Sequence, residues 1–165
     1  MKNILVVFVI ILIIIGVFLS LGTSNEMVVV KEDNIKQLPL KIKKGHYQDS
    51  DCGMIIDDLR FVSQVVSPKG NTYFFHDHGG MAKWLKDKSF SKNAKIWVKS
   101  LDSKKYIDGR KAYYSRNDKT PMGYGFGAYE FKKDGYIKFD EMQLKMLRGE
   151  TMNNPIIRKK LKGRD

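Results

Sequence analysis

Cysteine is almost missing from this chain: among 165 residues there is one, Cys52. A single cysteine closes no internal disulfide. Without a Cys-x-x-Cys pair there is also no basis for a zinc ribbon, a thioredoxin-type redox site or haem attachment. Acidic residues are short as well, 18 against 30 Lys and Arg, which leaves a net charge of +12. The cations are scattered, with no basic recognition helix and no aromatic ribonucleoprotein motif. The excess therefore argues for anionic membrane surfaces and acidic partners rather than nucleic acid. No Gly-x-Ser-x-Gly elbow occurs, and Gly123-Tyr124-Gly125-Phe126-Gly127 lacks the Lys-Ser/Thr of a phosphate-cradling loop.

What is present begins with an apolar start. After the short positive Met1-Lys2-Asn3, the run from Ile4 to Gly22 carries no charge. It exceeds the ~7–15 residues of a signal-peptide core and approaches the ~20 that span a bilayer. A signal anchor or transmembrane helix over 1–22 is expected, with cleavage near the small residues Ser20 and Gly22 as the alternative. The chain beyond it is then exported whatever its charge. About 140 residues remain, enough for one domain. Polar, lysine-rich 23–45 reads as a tether, 46–150 as the folded domain, and 151–165 as a basic tail that is solvated or touches the membrane.

Periodicity outlines the domain. Arg60–Val66 and Thr72–Phe75, separated by Ser67-Pro68-Lys69-Gly70-Asn71, predict a hairpin. Met81, Trp84 and Leu85 stand at i, i+3, i+4, one face of a helix. Ala94–Lys99 predicts a strand, which completes a β-β-α-β unit. A similar order follows: strand-like Tyr106–Tyr114 and Gly125–Phe131, then a capping box at Asp140-Glu141-Met142-Gln143 opening a helix through Leu147. The expected class is α+β, two β-β-α-β-like units forming one compact domain.

Three runs could carry chemistry. In Cys52-Gly53-Met54 a thiol and a thioether flank a glycine that lets both approach one centre, and soft donors select Cu(I). The alternative is a small buried residue in a turn. In Phe75-His76-Asp77-His78-Gly79-Gly80-Met81 two imidazoles stand between strand and helix and a thioether sits in the first helical turn; alternatively Asp77 or His78 caps it and Met81 fills the core. In Thr120-Pro121-Met122-Gly123 a tight loop holds a methionine away from backbone company. Cys52 with a histidine and Asp77 also formally composes a thiol nucleophile, with nothing in the sequence to fix the contact.

Cys52-Gly53-Met54, Phe75-x-Asp77 with Met81, Ile107-Asp108-Gly109-x-x-Ala112-x-Tyr114 and Pro121-Met122-Gly123, in that order, resemble the NosL family of copper chaperones. The resemblance covers most of Asp51–Glu130. It implies a membrane-attached, exported Cu(I)-binding protein with a two-unit β-β-α-β fold related to organomercurial lyase. The implied role is to supply copper to nitrous oxide reductase together with membrane-bound copper-handling transporter machinery. By position, Cys52 and Met54 match the family's Cys-Gly-Met, Met81 its following methionine, and Met122 its Pro-Met-Gly. The implied metal ligands are Cys52, Met54, Met81 and Met122. Two departures stand out: Thr23 replaces the lipobox cysteine, and His76 and His78 stand where the family has an acidic and an apolar residue. One imidazole is therefore a further ligand candidate. The expected function is a Cu(I) carrier and not an enzyme. The competing expectations are a metal-free interaction domain and an organomercurial-lyase-like thiol enzyme.

Overall fold

The computed structural model of the protein describes residues 2–21 and 27–163. Helix α1 spans Lys2–Leu21, so the uncharged run does form a helix. Its described apolar side chains, Ile4 and those from Val6 to Leu19, are all exposed. A helix apolar on every side suits an apolar surround, not water. Among the described residues, no helix is long and apolar enough to cross a membrane. The expected transmembrane anchor is corrected to that extent, and Gly22 and Thr23 lie outside the described residues.

The main sheet has five strands in the order β1-β3-β2-β4-β5, all antiparallel: β1 Val30–Lys31, β2 Ser63–Val66, β3 Thr72–Phe75, β4 Lys95–Lys99 and β5 Tyr106–Asp108. The expected hairpin is β2–β3, in register Ser63 with Phe75 and Val66 with Thr72. Helix α2, His78–Lys86, crosses from β3 to β4. It lays Met81, Ala82 and Leu85 into a core with Val65, Phe75, Ile96 and Val98. Each of the larger side chains among them, fully buried, stabilises the fold by about 1.5–3 kcal/mol. The first β-β-α-β unit is therefore as expected.

The second is different. Tyr106–Tyr114 divides: β5 joins the main sheet, and after a turn closed by Ala112 N–H on the Asp108 carbonyl (3.0 Å), β6 Tyr113–Tyr114 pairs instead with β7 Ala128–Tyr129. Helix α3, Phe139–Leu147, follows, and among the described residues no strand returns after it. The expected capping box is not used: the N-cap is Lys138, without a side-chain bond, because buried Phe139 draws the first turn into the core. Gln143, the last residue of that box, donates to the Ala82 carbonyl at 2.8 Å and binds α3 to α2. Helix α4, Pro155–Lys162, ends the described chain.

Residues 27–45, expected as a tether, pack on the sheet. β1 extends it along β3, Ile42 joins a second cluster with Ile56, Val62 and Phe74, and Leu40 pairs both ways with the Gln64 side chain at 2.8 Å. Buried Asn34 donates to Leu38 O and Thr72 Oγ1. The lysines of this segment point outward and masked a few well-placed anchors.

Candidate metal centre

Cys52 stands at the tip of a hairpin across residues 47–56. Ile56 N–H donates to the Tyr47 carbonyl and Asp49 N–H to that of Met54, both at 2.8 Å. Gly53 has φ +73°, the left-handed region where a side chain is strained, and its N–H closes the turn on the Asp49 carbonyl. Asp49 Oδ1 accepts the N–H groups of Asp51 (2.8 Å) and Cys52 (3.2 Å). Ser50 ties the hairpin to β3. Its N–H donates to the Phe74 carbonyl at 2.7 Å and its hydroxyl accepts from Phe74 N–H at 3.0 Å. The loop tip is thereby held beside the residue that follows β3, which is His76.

Asp49 Oδ2 accepts from His76 N–H at 2.9 Å and lies 2.6 Å from His76 Nδ1. Cys52 Sγ is 4.0 Å from the same Nδ1. The donor atoms of Asp49, Cys52 and His76 all lie within 4.8 Å of one another, the first and last buried and the thiol exposed. His76 Nε2 is buried with no hydrogen-bond partner.

Burial pushes the Asp49 carboxyl up, but the His76 side chain and the backbone N–H groups of His76, Asp51 and Cys52 outweigh it and hold it below its usual range. The Asp49 hydrogen bond raises His76 against the opposing effect of burial, and the charges of Asp49 and Asp77 add to the rise. Partial burial raises the Cys52 thiol, and the carboxylates of Asp49 and Asp51 push the same way against a backbone bond at Met54. These shifts favour the charged forms of the His76–Asp49 pair and the neutral form of the thiol.

A thiol and an imidazole are donors that suit Cu(I) and zinc; the nitrogen facing Cys52 is Nδ1, the one Asp49 holds, so an ion bound there takes the place of the Nδ1 proton beside the carboxylate. Metal–sulfur and metal–nitrogen bonds of about 2.3 and 2.0 Å together reach across the Cys52–His76 gap. The donor set therefore fits a soft metal ion. It fits a thiol nucleophile poorly: the nitrogen facing the sulfur is the one paired with Asp49, and the thiol is raised rather than lowered.

No protein-family profile matches the sequence, and no curated protein matches it. The structure is similar to the crystal structure of the copper chaperone NosL from Shewanella denitrificans, with a TM-score of 0.53 and 18% sequence identity. The likeness covers 62% of this chain and 94% of that one. The fold is NosL-like. Identity that low shows the architecture and leaves the site to be argued from its own residues.

On this NosL-like frame the expected ligands separate into three groups. Cys52 and His76 come together. Met54 follows on the return limb of the hairpin, 49% exposed. Met122 is half-buried in a loop whose place is set by Asp77: that carboxylate accepts Gly79 N–H at 2.9 Å, capping α2, and Met122 N–H at 3.0 Å. A Cβ on Gly79 would come 2.8 Å from Tyr124 Cδ2, so the glycine admits this loop against the helix start. Tyr124 is raised by burial and then by the charges of Asp77, Asp51, Cys52 and Asp49, which puts the loop within the field of the cluster. Met81 and His78, both fully buried, lie in the interior, Met81 in the main core and His78 edge-on to Phe61 and Tyr114. Met81 takes the core position that its spacing to Trp84 and Leu85 allowed, while Asp77 takes the cap. The residue that sequence reasoning missed is Asp49. Its signal was an aspartate three residues before Cys-Gly, the pattern of a side chain that caps a turn.

Proposed function

We propose that this chain is a Cu(I)-binding metallochaperone, exported and held at the membrane through its N-terminal apolar helix, that passes copper on by ligand exchange. The observation that carries the reading is the Asp49–Cys52–His76 cluster, with its thiol exposed at a hairpin tip, on a NosL-like fold. Cys52 is the thiolate donor and His76 the imidazole donor. Asp49 lies against the ring nitrogen that faces the thiol, and Met54 and Met122 are the candidate thioethers. An exposed thiolate suits handover, because an acceptor's ligands attack the ion from the solvent side while the buried ring still holds it. Binding displaces the Cys52 proton, so affinity falls on acidification. The role is that of a carrier and not a catalyst. By resemblance the client is nitrous oxide reductase, and the partner is membrane-bound copper-handling machinery.

The test is a competition titration of the full chain with Cu(I) against a chromophoric chelator. One tightly held ion per chain is expected, lost in Cys52→Ala and weakened in His76→Ala. Asp49→Asn, which removes the carboxylate from the cluster, is expected to weaken it. Binding unchanged by Cys52→Ala would overturn the ligand assignment, and no binding by the parent would overturn the carrier reading.

A further inference from the structure

Helix α4 is built as a helix and barely used as one by the rest of the molecule. Asn154 caps it, its side chain accepting from the N–H groups of Ile156 (3.0 Å) and Ile157 (3.4 Å). Pro155 occupies the first turn, and Gly163 ends it in the left-handed conformation. Yet none of its residues is buried.

At 100° per residue, Ile156, Ile157 and Leu161 fall on one arc, while Arg158, Lys159 and Lys162 fall on the opposite one. Ile157 and Leu161 are half-covered, whereas Ile156 is 78% exposed, with Lys159 and Lys160 one turn on and to either side of it. No acidic residue stands between Glu150 and Asp165, and none of the cations at 158, 159, 160 and 162 makes a salt bridge among the described residues. A bare isoleucine framed by unpaired lysines on a preformed helix matches one kind of surface: anionic headgroups above a hydrocarbon layer. A nucleic acid would satisfy the lysines and leave the isoleucine in water.

We propose that α4 docks on an anionic phospholipid surface, with Ile156 entering the headgroup boundary and the flanking Lys159 and Lys160 pairing with lipid phosphates. The docking does not require α1 to span the bilayer. If α1 also enters the membrane, α4 gives the domain a second attachment, and two attachments fix an orientation that one tether leaves free.

The full chain is mixed with vesicles of phosphatidylcholine alone and with vesicles containing a third phosphatidylglycerol, and amide exchange is read across 156–162. Slower exchange of α4 on the anionic vesicles than on the neutral ones is expected. Lys159→Glu with Lys160→Glu is expected to weaken the lipid-dependent protection by more than about 20-fold, since each cation near such a surface strengthens association about fivefold. Ile156→Ser is expected to reduce it at unchanged charge. Equal exchange on the two lipids overturns the proposal. So does protection that Ile156→Ser leaves intact, or that a duplex oligonucleotide reproduces, because either marks a purely electrostatic anion surface. Recovery of the chain with neutral vesicles reports on α1 separately, so failure of that attachment is distinguishable from failure of α4.

Discussion

At the scale of single residues, Asp49 determines what the candidate site is. Its two oxygens accept from three backbone N–H groups and face the His76 ring, so one carboxylate both shapes the Cys52 turn and charges the imidazole beside it. The pair has a definite pH window. His76 is raised, so its contribution to stability is complete below the unfolded value of 6.5 and is lost as pH rises through the folded one. Asp49 is lowered, so its contribution is complete above 3.8 and is lost as pH falls through its folded value. The ion pair therefore supports the fold most between about pH 4 and 6.5. Asp49→Asn keeps an acceptor for the turn but removes the charge from the ring. It is expected to destabilise the protein by about 1–3 kcal/mol near pH 5.5 and by clearly less at pH 8.5. Denaturant unfolding at the two pH values checks this, and a cost that is equal at both, or greater at pH 8.5, would mean that the pair is not what Asp49 contributes.

At the scale of elements, the parts legible in the sequence were those settled by neighbours along the chain. The β2–β3 hairpin announced itself through β-forming residues around Pro68-Lys69-Gly70, and α2 through the spacing of Met81, Trp84 and Leu85. What stayed hidden was settled by partners far away. β6 and β7 are two residues each, too short for alternation to show, and exist because they meet each other. The 27–45 segment looked like a tether because its lysines outnumber the few residues, Asn34, Leu40 and Ile42, that hold it down. The candidate site divides the same way: Cys52 and His76 were readable as chemistry, but their contact depends on Ser50 and Asp49 bonding to β3 and the residue after it. Asp77 joins both kinds of information, a local cap on α2 and a contact 45 residues away with Met122. Asp77→Ala should cost about 1 kcal/mol for the cap and a further ~1–2 for the stranded Met122 N–H. Faster amide exchange is expected at Met122 as well as at the start of α2. A change confined to α2 would show that the loop is held by something other than Asp77.

At the scale of the whole molecule, His78 links the fold to acid. It is fully buried against Phe61 and Tyr114, neither ring nitrogen has a partner, and burial lowers its pKa to about 3. A histidine depressed in the folded state supports the fold above the unfolded pKa of 6.5. That support is lost as pH falls from there toward the folded value, because the unfolded chain binds a proton that the core refuses. The loss approaches about 1.4 kcal/mol per pH unit, so a few kcal/mol are gone by pH 4, a large share of the 5–15 kcal/mol that ordinary domains possess. Asp49 loses its contribution only below 3.8, and His76 keeps its own throughout, so the decline between pH 6 and 4 is assigned to His78. His78→Phe, or His78→Leu if the larger ring overpacks, removes the buried unpartnered nitrogens together with the titration. The expected result is a higher melting temperature at pH 7 and a flatter profile from pH 6 to 4. Cu(I) retention should be unchanged, since His76 and not His78 adjoins Cys52. If the acid decline persists in both variants, the instability lies elsewhere in the core. If copper retention falls with it, the interior imidazole belongs to the site.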